Sequence, residues 1–99
     1  MDIVIKEPLL LFLRRLAPEP RRALRKALKD LRDEKGDIRS LDESLSGYYR
    51  LRVGRYRVIL RYRDEKTIDA VFAEQRSLVY DVFEEQFLRR LKSRTGGKE

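Results

Sequence analysis

The sequence predicts an α+β domain in which helices gather on one face of a curved antiparallel sheet. Apolar residues recur at spacings of three and four before residue 35 and again after residue 77, which is typical of amphipathic helices. Between residues 48 and 74 they alternate at every second position, which indicates strands with one buried face. A length of 99 residues fits one hydrophobic core. We therefore expect a single domain over residues 1–92 and a flexible tail over residues 93–99.

The first third of the chain predicts a strand and two helices. The short apolar segment Ile3–Ile5 is expected at an edge of the sheet. One helix begins near Pro8, since proline suits the first turn, and a second runs from about Pro20 to Glu34 and ends at Gly36. Their inward faces are apolar: Leu9, Phe12, Leu13 and Leu16 in the first, and Leu24, Ala27, Leu28 and Leu31 in the second. The short link between them predicts an αα-hairpin.

A loop and a tight hairpin are expected next. Residues 37–47 are interpreted as a loop, held down by Ile38, Leu41 and Leu45. Gly54 and Arg55 suit a two-residue hairpin turn because the first of them is glycine. With this turn, one face of the hairpin is entirely apolar or aromatic, so the register buries a clean core surface. Its predicted pairs are Val53–Tyr56, Leu51–Val58 and Tyr49–Leu60.

A third strand and a last helix complete the predicted order β-α-α-β-β-β-α. The strand runs from about Thr67 to Glu74, after a loop of three charged residues at 64–66. The predicted core-face pairs are Tyr62–Ile68, Leu60–Ala70 and Val58–Phe72. On the other face, Arg61 is expected opposite Asp69, which can neutralise it. The helix begins near Ser77.

The register also predicts a cluster of arginines on the second face of the sheet. Arg52 lies opposite Arg57 and Arg50 opposite Ile59, and no carboxylate is expected near these three arginines. Like charges directly opposite each other destabilise a sheet. A phosphate between two guanidinium groups would remove the repulsion and gain charge-assisted hydrogen bonds. The alternative is a solvated face whose charges prevent edge-to-edge aggregation.

Composition narrows the classes of partner and compartment. Lys and Arg number 24 against 17 Asp and Glu, and a formal net charge of +7 favours an anionic partner. The chain has no cysteine and no histidine, which excludes disulfides and Cys or His metal sites and is typical of the cytoplasm. Its longest apolar run, Leu9–Leu13, is too short to cross a bilayer. We expect a cytoplasmic protein without a membrane anchor, metal or cofactor.

Two segments resemble a known family. Residues 45–59, Leu-Ser-Gly-Tyr-Tyr-Arg-Leu-Arg-Val-Gly-Arg-Tyr-Arg-Val-Ile, are similar to the sheet signature of the RelE/ParE superfamily of toxin–antitoxin toxins. Residues 76–80, Arg-Ser-Leu-Val-Tyr, resemble its motif at the end of the last core strand. With the αα-hairpin, the resemblance covers about residues 2–90. Within the superfamily the RelE branch is favoured, which implies an mRNA interferase that cleaves codons in the ribosomal A site, contacts rRNA and is neutralised by a cognate antitoxin.

The resemblance also implies the functional residues. The catalytic positions of the family fall on Arg50, Arg52, Arg57, Arg76 and Tyr80. Tyr48, Arg55 and Arg61 are expected to bind RNA. Tyr48 is expected to be exposed on the arginine side of the sheet, where it either stacks on a base or is an ordinary surface tyrosine.

The chain departs from the family in its acid–base groups. Gln75 stands where histidine is common, and Glu74 where some relatives have another basic residue. Arginine stays protonated and is a poor general base, so Glu74 is the nearby candidate for that role.

Two other functions therefore stay open. One is a ParE-like toxin that inhibits DNA gyrase without nuclease activity, and the other is a non-catalytic RNA- or protein-binding module. A second basic stripe on the helices is interpreted as a solvated face or as a contact for rRNA or an acidic antitoxin segment. Its members are Arg14, Arg15, Arg21, Arg22, Arg25 and Lys26.

Overall fold

The protein is an α+β domain in which two helices pack on a five-stranded sheet, and this confirms the predicted fold class. The structure is a computed structural model that describes residues 1–75, without the side chain of Ser44. The strands are β1 (Asp2–Ile5), β2 (Asp37–Ser40), β3 (Tyr49–Val53), β4 (Tyr56–Tyr62) and β5 (Thr67–Gln75). The helices are α1 (Glu7–Arg15) and α2 (Pro18–Asp30), and short 3-10 turns span Leu31–Asp33 and Glu43–Leu45. The predicted last helix, Arg76, Tyr80 and the predicted tail lie outside the described residues.

The sheet is mixed rather than antiparallel throughout. Its strand order is β1-β5-β4-β3-β2, so β1 lies at one edge, as expected, and β2 at the other. Strands β2 to β5 pair antiparallel, whereas β1 runs parallel to β5 with Ile3 beside Ile68. The αα-hairpin follows β1 directly, and Leu9, Leu13, Leu24 and Leu28 belong to the same buried core cluster as residues of the sheet.

The αα-hairpin is joined by a side-chain cap. Arg21, near the start of α2, donates Nε to the carbonyl of Leu13 at 3.1 Å and Nη2 to the carbonyl of Leu16 at 2.7 Å. Leu13 lies in the last turn of α1 and Leu16 is the residue that follows the helix, so Arg21 supplies donors to carbonyls at the helix C-terminus. The second helix begins at Pro18 and ends at Asp30, earlier at both ends than predicted.

The segment between α2 and β3 contains a strand that the sequence interpretation missed. Residues 37–40 were expected in a loop, but they form β2, with Ile38 opposite Leu51. Three of the four residues of β2 are charged or polar, so the strand lacks an apolar run. Gly36 begins this segment rather than ending a helix: its φ is +133° and a Cβ there would lie 2.6 Å from Leu51 Cδ1.

The two hairpins follow the predicted register except after one bulge. All five predicted β3–β4 pairs are confirmed. Between β4 and β5, Tyr62–Ile68, Arg61–Asp69 and Leu60–Ala70 are confirmed, but Val58 pairs with Ala73 instead of Phe72. The register shifts between Ile59 and Leu60, because β5 has one additional residue there. The shift keeps small Ala73 on the core face and places Glu74 opposite Arg57 on the other face.

Each face of the sheet carries an apolar cluster. The larger one joins the helices to the core face of the strands: Leu9, Phe12, Leu13, Leu24, Leu28, Leu31, Leu51, Val58, Leu60, Ile68, Ala70 and Ala73. The second consists of Leu45, Tyr48, Ile59 and Val71, with Leu41 and Phe72 packed against it. The face that carries the arginines is therefore partly apolar.

Candidate functional site: an arginine face on the sheet

Five arginines project from the same side of β2, β3 and β4. Successive side chains of a strand alternate between faces, and directly paired residues share a face. The pairings Arg39–Arg50 and Arg52–Arg57 therefore place four of these arginines together, and Arg61 follows on β4. We call this surface the arginine face: Arg39, Arg50, Arg52, Arg57 and Arg61.

Carboxylates bracket the arginine pair at its centre. Asp37 pairs with Arg52 across β2–β3, and Glu74 pairs with Arg57 across β4–β5. One row across four strands thus reads Asp37, Arg52, Arg57, Glu74. The expectation that no carboxylate lies near these arginines was wrong, because it depended on residues 37–40 being a loop and on a β4–β5 register without the bulge.

Arg50 on β3 is held by Asp37 of the neighbouring edge strand β2. Its Nη1 donates to the backbone carbonyl of Asp37 at 3.2 Å and lies 3.4 Å from the carboxylate Oδ1. The side chain of Arg50 is only 12% exposed, against 46% for Asp37. The guanidinium is consequently oriented before any ligand binds.

The other predicted arginines differ in accessibility. Arg57 is buried at 6% exposure and donates Nη1 to the carbonyl of Tyr56 at 3.4 Å. Arg52 is exposed and makes no ion pair with any of residues 1–75. Arg55 is exposed in the hairpin turn after Gly54, whose φ is +58°. Arg52 is therefore the exposed member of the central pair.

Tyr48 is buried in the second apolar cluster, on the arginine side of the sheet. It retains 7% exposure and packs in the second cluster with Leu45, Ile59 and Val71. The expectation that Tyr48 is exposed was wrong, whereas its contact with RNA stays a prediction. Tyr49, predicted on the core face, packs there edge-on against Tyr62, with ring centroids 5.0 Å apart.

Arg61 lies opposite Asp69 as predicted, but Arg63 is the stronger partner of this carboxylate. Arg63 reaches Asp69 with Nη2 at 2.6 Å and Nε at 3.2 Å, whereas Arg61 Nη2 stays 3.9 Å away. The hydrogen bond to Asp69 raises the pKa of Arg63 above its usual value. Because Asp69 is mainly bound by Arg63, the guanidinium of Arg61 stays available to an anion.

Acid–base groups are few on this surface. Glu74 is half-buried and lies across from Arg57, and its Oε1 accepts a hydrogen bond from the backbone nitrogen of Gln75 at 3.1 Å. Within residues 1–75, no group of three or more His, Cys, Asp or Glu side chains is arranged to hold a metal ion. None of the helices in that range is long and apolar enough to cross a bilayer. The chemistry that the arginine face can supply is binding of phosphate and stabilisation of developing negative charge.

Asp37 and Arg39 are site residues of β2 that the sequence interpretation missed. The only signal was the local pattern Asp-Ile-Arg, in which one apolar residue faces inward between two charged residues that face outward. Such a pattern fits a short edge strand as well as a loop.

Comparison with solved structures identifies the fold. The toxin–antitoxin complex RelBE2 of Mycobacterium tuberculosis matches with a TM-score of 0.68 and 24% identity, over 76% of this chain and 96% of that chain. The RelB–RelE complex of Methanococcus jannaschii matches with a TM-score of 0.64 and 21% identity, over 81% and 98%. The YoeB/ParE toxin of Agrobacterium tumefaciens matches with a TM-score of 0.62 and 13% identity, over 76% and 98%. No family model and no curated protein matches the sequence. The chain has the fold of the RelE/ParE toxins.

Proposed function

We propose that the chain is the toxin of a toxin–antitoxin pair and acts as a ribosome-dependent mRNA endoribonuclease. The observation that carries the proposal is the gathering of Arg50, Arg52 and Arg57 on one face of a RelE/ParE-type sheet. These are the positions to which the sequence resemblance assigns catalysis. A cytoplasmic location follows from this function.

The arginines supply the electrostatic part of the mechanism. Cleavage within RNA requires activation of a 2′-hydroxyl, stabilisation of the charged phosphorane and protonation of the departing 5′-oxygen. Preformed cationic groups that face the developing charge are usually the largest contribution to such catalysis. Arg50 is already oriented by Asp37, and Arg52 is exposed to the RNA, so these two are assigned to the phosphate.

The proton transfers are assigned to residues other than the arginines of the arginine face. Glu74 shares the arginine face and pairs with Arg57, which makes it the candidate base for the 2′-hydroxyl. By resemblance, Arg76 adds charge stabilisation and Tyr80 stacks on a base or donates the proton to the 5′-oxygen. Positioning of the mRNA by the ribosome supplies the remaining orientation.

A cognate antitoxin is the proposed protein partner. Two of the matching structures are complexes of a toxin with its antitoxin. A basic toxin with a formal charge of +7 favours an antitoxin with an acidic binding segment.

Controlled induction with mapping of mRNA 5′ ends tests the proposal. Wild-type protein should arrest translation and leave mRNA cut at ribosome-positioned sites. Arg52→Ala should reduce cleavage by about a hundredfold, which is typical for loss of one charge-stabilising donor. Lys29→Ala, an exposed change on α2, removes the same charge and should leave cleavage unchanged. Full cleavage by folded Arg52→Ala would contradict the phosphate assignment.

A ParE-like toxin is the second candidate, and the accessibility of the arginines favours it. Arg57 is buried and Arg50 is paired with Asp37, so Arg52 is the most exposed of the three sheet arginines assigned to catalysis. A gyrase inhibitor would produce double-strand breaks and the SOS response while translation continues. A non-catalytic RNA- or protein-binding module would produce neither effect.

A further inference from the structure

The carboxylate of Asp37 stands among three arginines. Its Oδ1 lies 3.4 Å from Arg50 Nη1 and 3.9 Å from Arg39 Nε, and its backbone pairs with that of Arg52. The carboxylate therefore places a negative charge of the protein itself within the arginine face. Its side chain is 46% exposed, so it faces the solvent from which a ligand would arrive.

The carboxylate contributes little to holding Arg50 in place. Arg50 also donates Nη1 to the backbone carbonyl of Asp37 at 3.2 Å, and this bond does not depend on the charge of the side chain. An ion pair of 3.4 Å at a half-exposed group is weak, because water screens it. The main effect of the carboxylate is thus to place one negative charge where a phosphate oxygen would otherwise meet Arg50, Arg39 and Arg52.

We propose that Asp37 is a specificity-determining residue that lowers the affinity of the arginine face for RNA phosphate. A phosphate that binds there competes with the carboxylate for Arg50 and Arg39 and is repelled by it. Free RNA then binds weakly, and productive binding requires RNA that is held in place by other contacts. This inference rests on the proposed RNA-binding function of the same face.

Asp37→Asn removes the charge and keeps the side-chain shape and the backbone carbonyl. A unit charge a few ångströms away in a solvated site corresponds to roughly a fivefold change in a binding constant. Asp37→Asn should therefore bind a short fluorescent single-stranded RNA about fivefold more tightly at low salt. The slope of log K against log salt should become steeper by about 0.7, the value for one additional neutralised phosphate of a single strand.

Asp2→Asn is the matched control. Asp2 is also an exposed aspartate on an edge strand, but at the opposite edge of the sheet, and both variants raise the net charge by one. Asp2→Asn should leave the affinity nearly unchanged, and adding Arg50→Ala to Asp37→Asn should abolish the gain. Equal gains in both single variants, or weaker binding by Asp37→Asn, would overturn the proposal.

Arg52→Ala in the same assay separates this inference from the proposed function. If Arg52→Ala weakens RNA binding while Asp37→Asn has no effect, the arginine face still binds RNA. The proposal that Asp37 competes with phosphate for the arginines would then be wrong. If Arg52→Ala leaves RNA binding unchanged, the RNA site itself is wrong. Circular dichroism of each variant establishes that it is folded.

Discussion

At the scale of single residues, the buried carboxylate of Asp69 depends on its nearest arginine. Asp69 is 3% exposed and takes two hydrogen bonds from Arg63, whereas Arg61 remains at 3.9 Å. Removal of a close partner leaves a buried charge uncompensated, which costs far more than the pair contributes. We predict that Arg63→Ala lowers the free energy of unfolding clearly more than Arg61→Ala does, as measured by urea denaturation. Equal losses would show that the two arginines share Asp69 evenly.

Tyr62 should make stability depend on alkaline pH. Burial, and then its hydrogen bond to Glu34 at 3.2 Å, raise the pKa of the Tyr62 phenol above its usual value of 10.0. A raised pKa in the folded state means that the contribution is complete below pH 10 and is lost as pH rises through the folded-state pKa. We predict that Tyr62→Phe lowers the free energy of unfolding by less than about 1 kcal/mol at pH 8, because the bond is solvent-exposed.

The same pair of proteins at higher pH provides the control. Above the folded-state pKa of Tyr62 the wild type should lose its advantage over Tyr62→Phe. A stability difference that stays constant from pH 8 to pH 11 in denaturant titrations would contradict the assignment of the raised pKa to Tyr62.

At the scale of elements, two glycines test how the strands are joined. Gly54 has φ +58°, and the position that a Cβ would take there has no neighbouring atom within 4 Å, so Gly54→Ala brings backbone strain alone. We expect this substitution to cost about 1–2 kcal/mol. Gly36→Ala brings strain at φ +133° and also a contact of 2.6 Å with Leu51 Cδ1, so we expect about 3 kcal/mol. Thermal and urea denaturation of both variants measures the order, and a smaller loss at Gly36 would show that β2 moves away from Leu51 at little cost.

The elements also show which parts of the fold can be predicted from sequence. The β3–β4 hairpin was predictable residue by residue, because a glycine-first turn and strict alternation define one register. The β2 strand was not, because a short polar edge strand owes its existence to its partner β3 rather than to its own residues. The bulge in β5 was hidden in the continuous apolar run Ala70–Ala73, where alternation is lost. Both omissions concealed acids beside the arginines, so the site was predicted as more positively charged than it is.

At the scale of the whole molecule, the question is whether RNA affinity comes from the arginine face or from the excess of positive charge everywhere. The net charge of +7 includes exposed cations on the helices as well as on the sheet. Diffuse electrostatic attraction of RNA depends on the total charge of the protein. Binding of RNA at a defined site depends instead on which guanidinium groups contact a phosphate. The two possibilities differ in how single substitutions change the salt dependence of binding.

We predict that Arg52→Ala reduces the slope of log K against log salt by about 0.7, since one phosphate contact of a single-stranded RNA is lost. Lys29→Ala on α2 lowers the net charge equally and should leave the slope unchanged. Fluorescence anisotropy with a short single-stranded RNA at several salt concentrations measures both slopes. Equal changes of the slope in the two variants would mean that RNA affinity follows the overall charge of the domain. The arginine face would then not be the RNA-binding site.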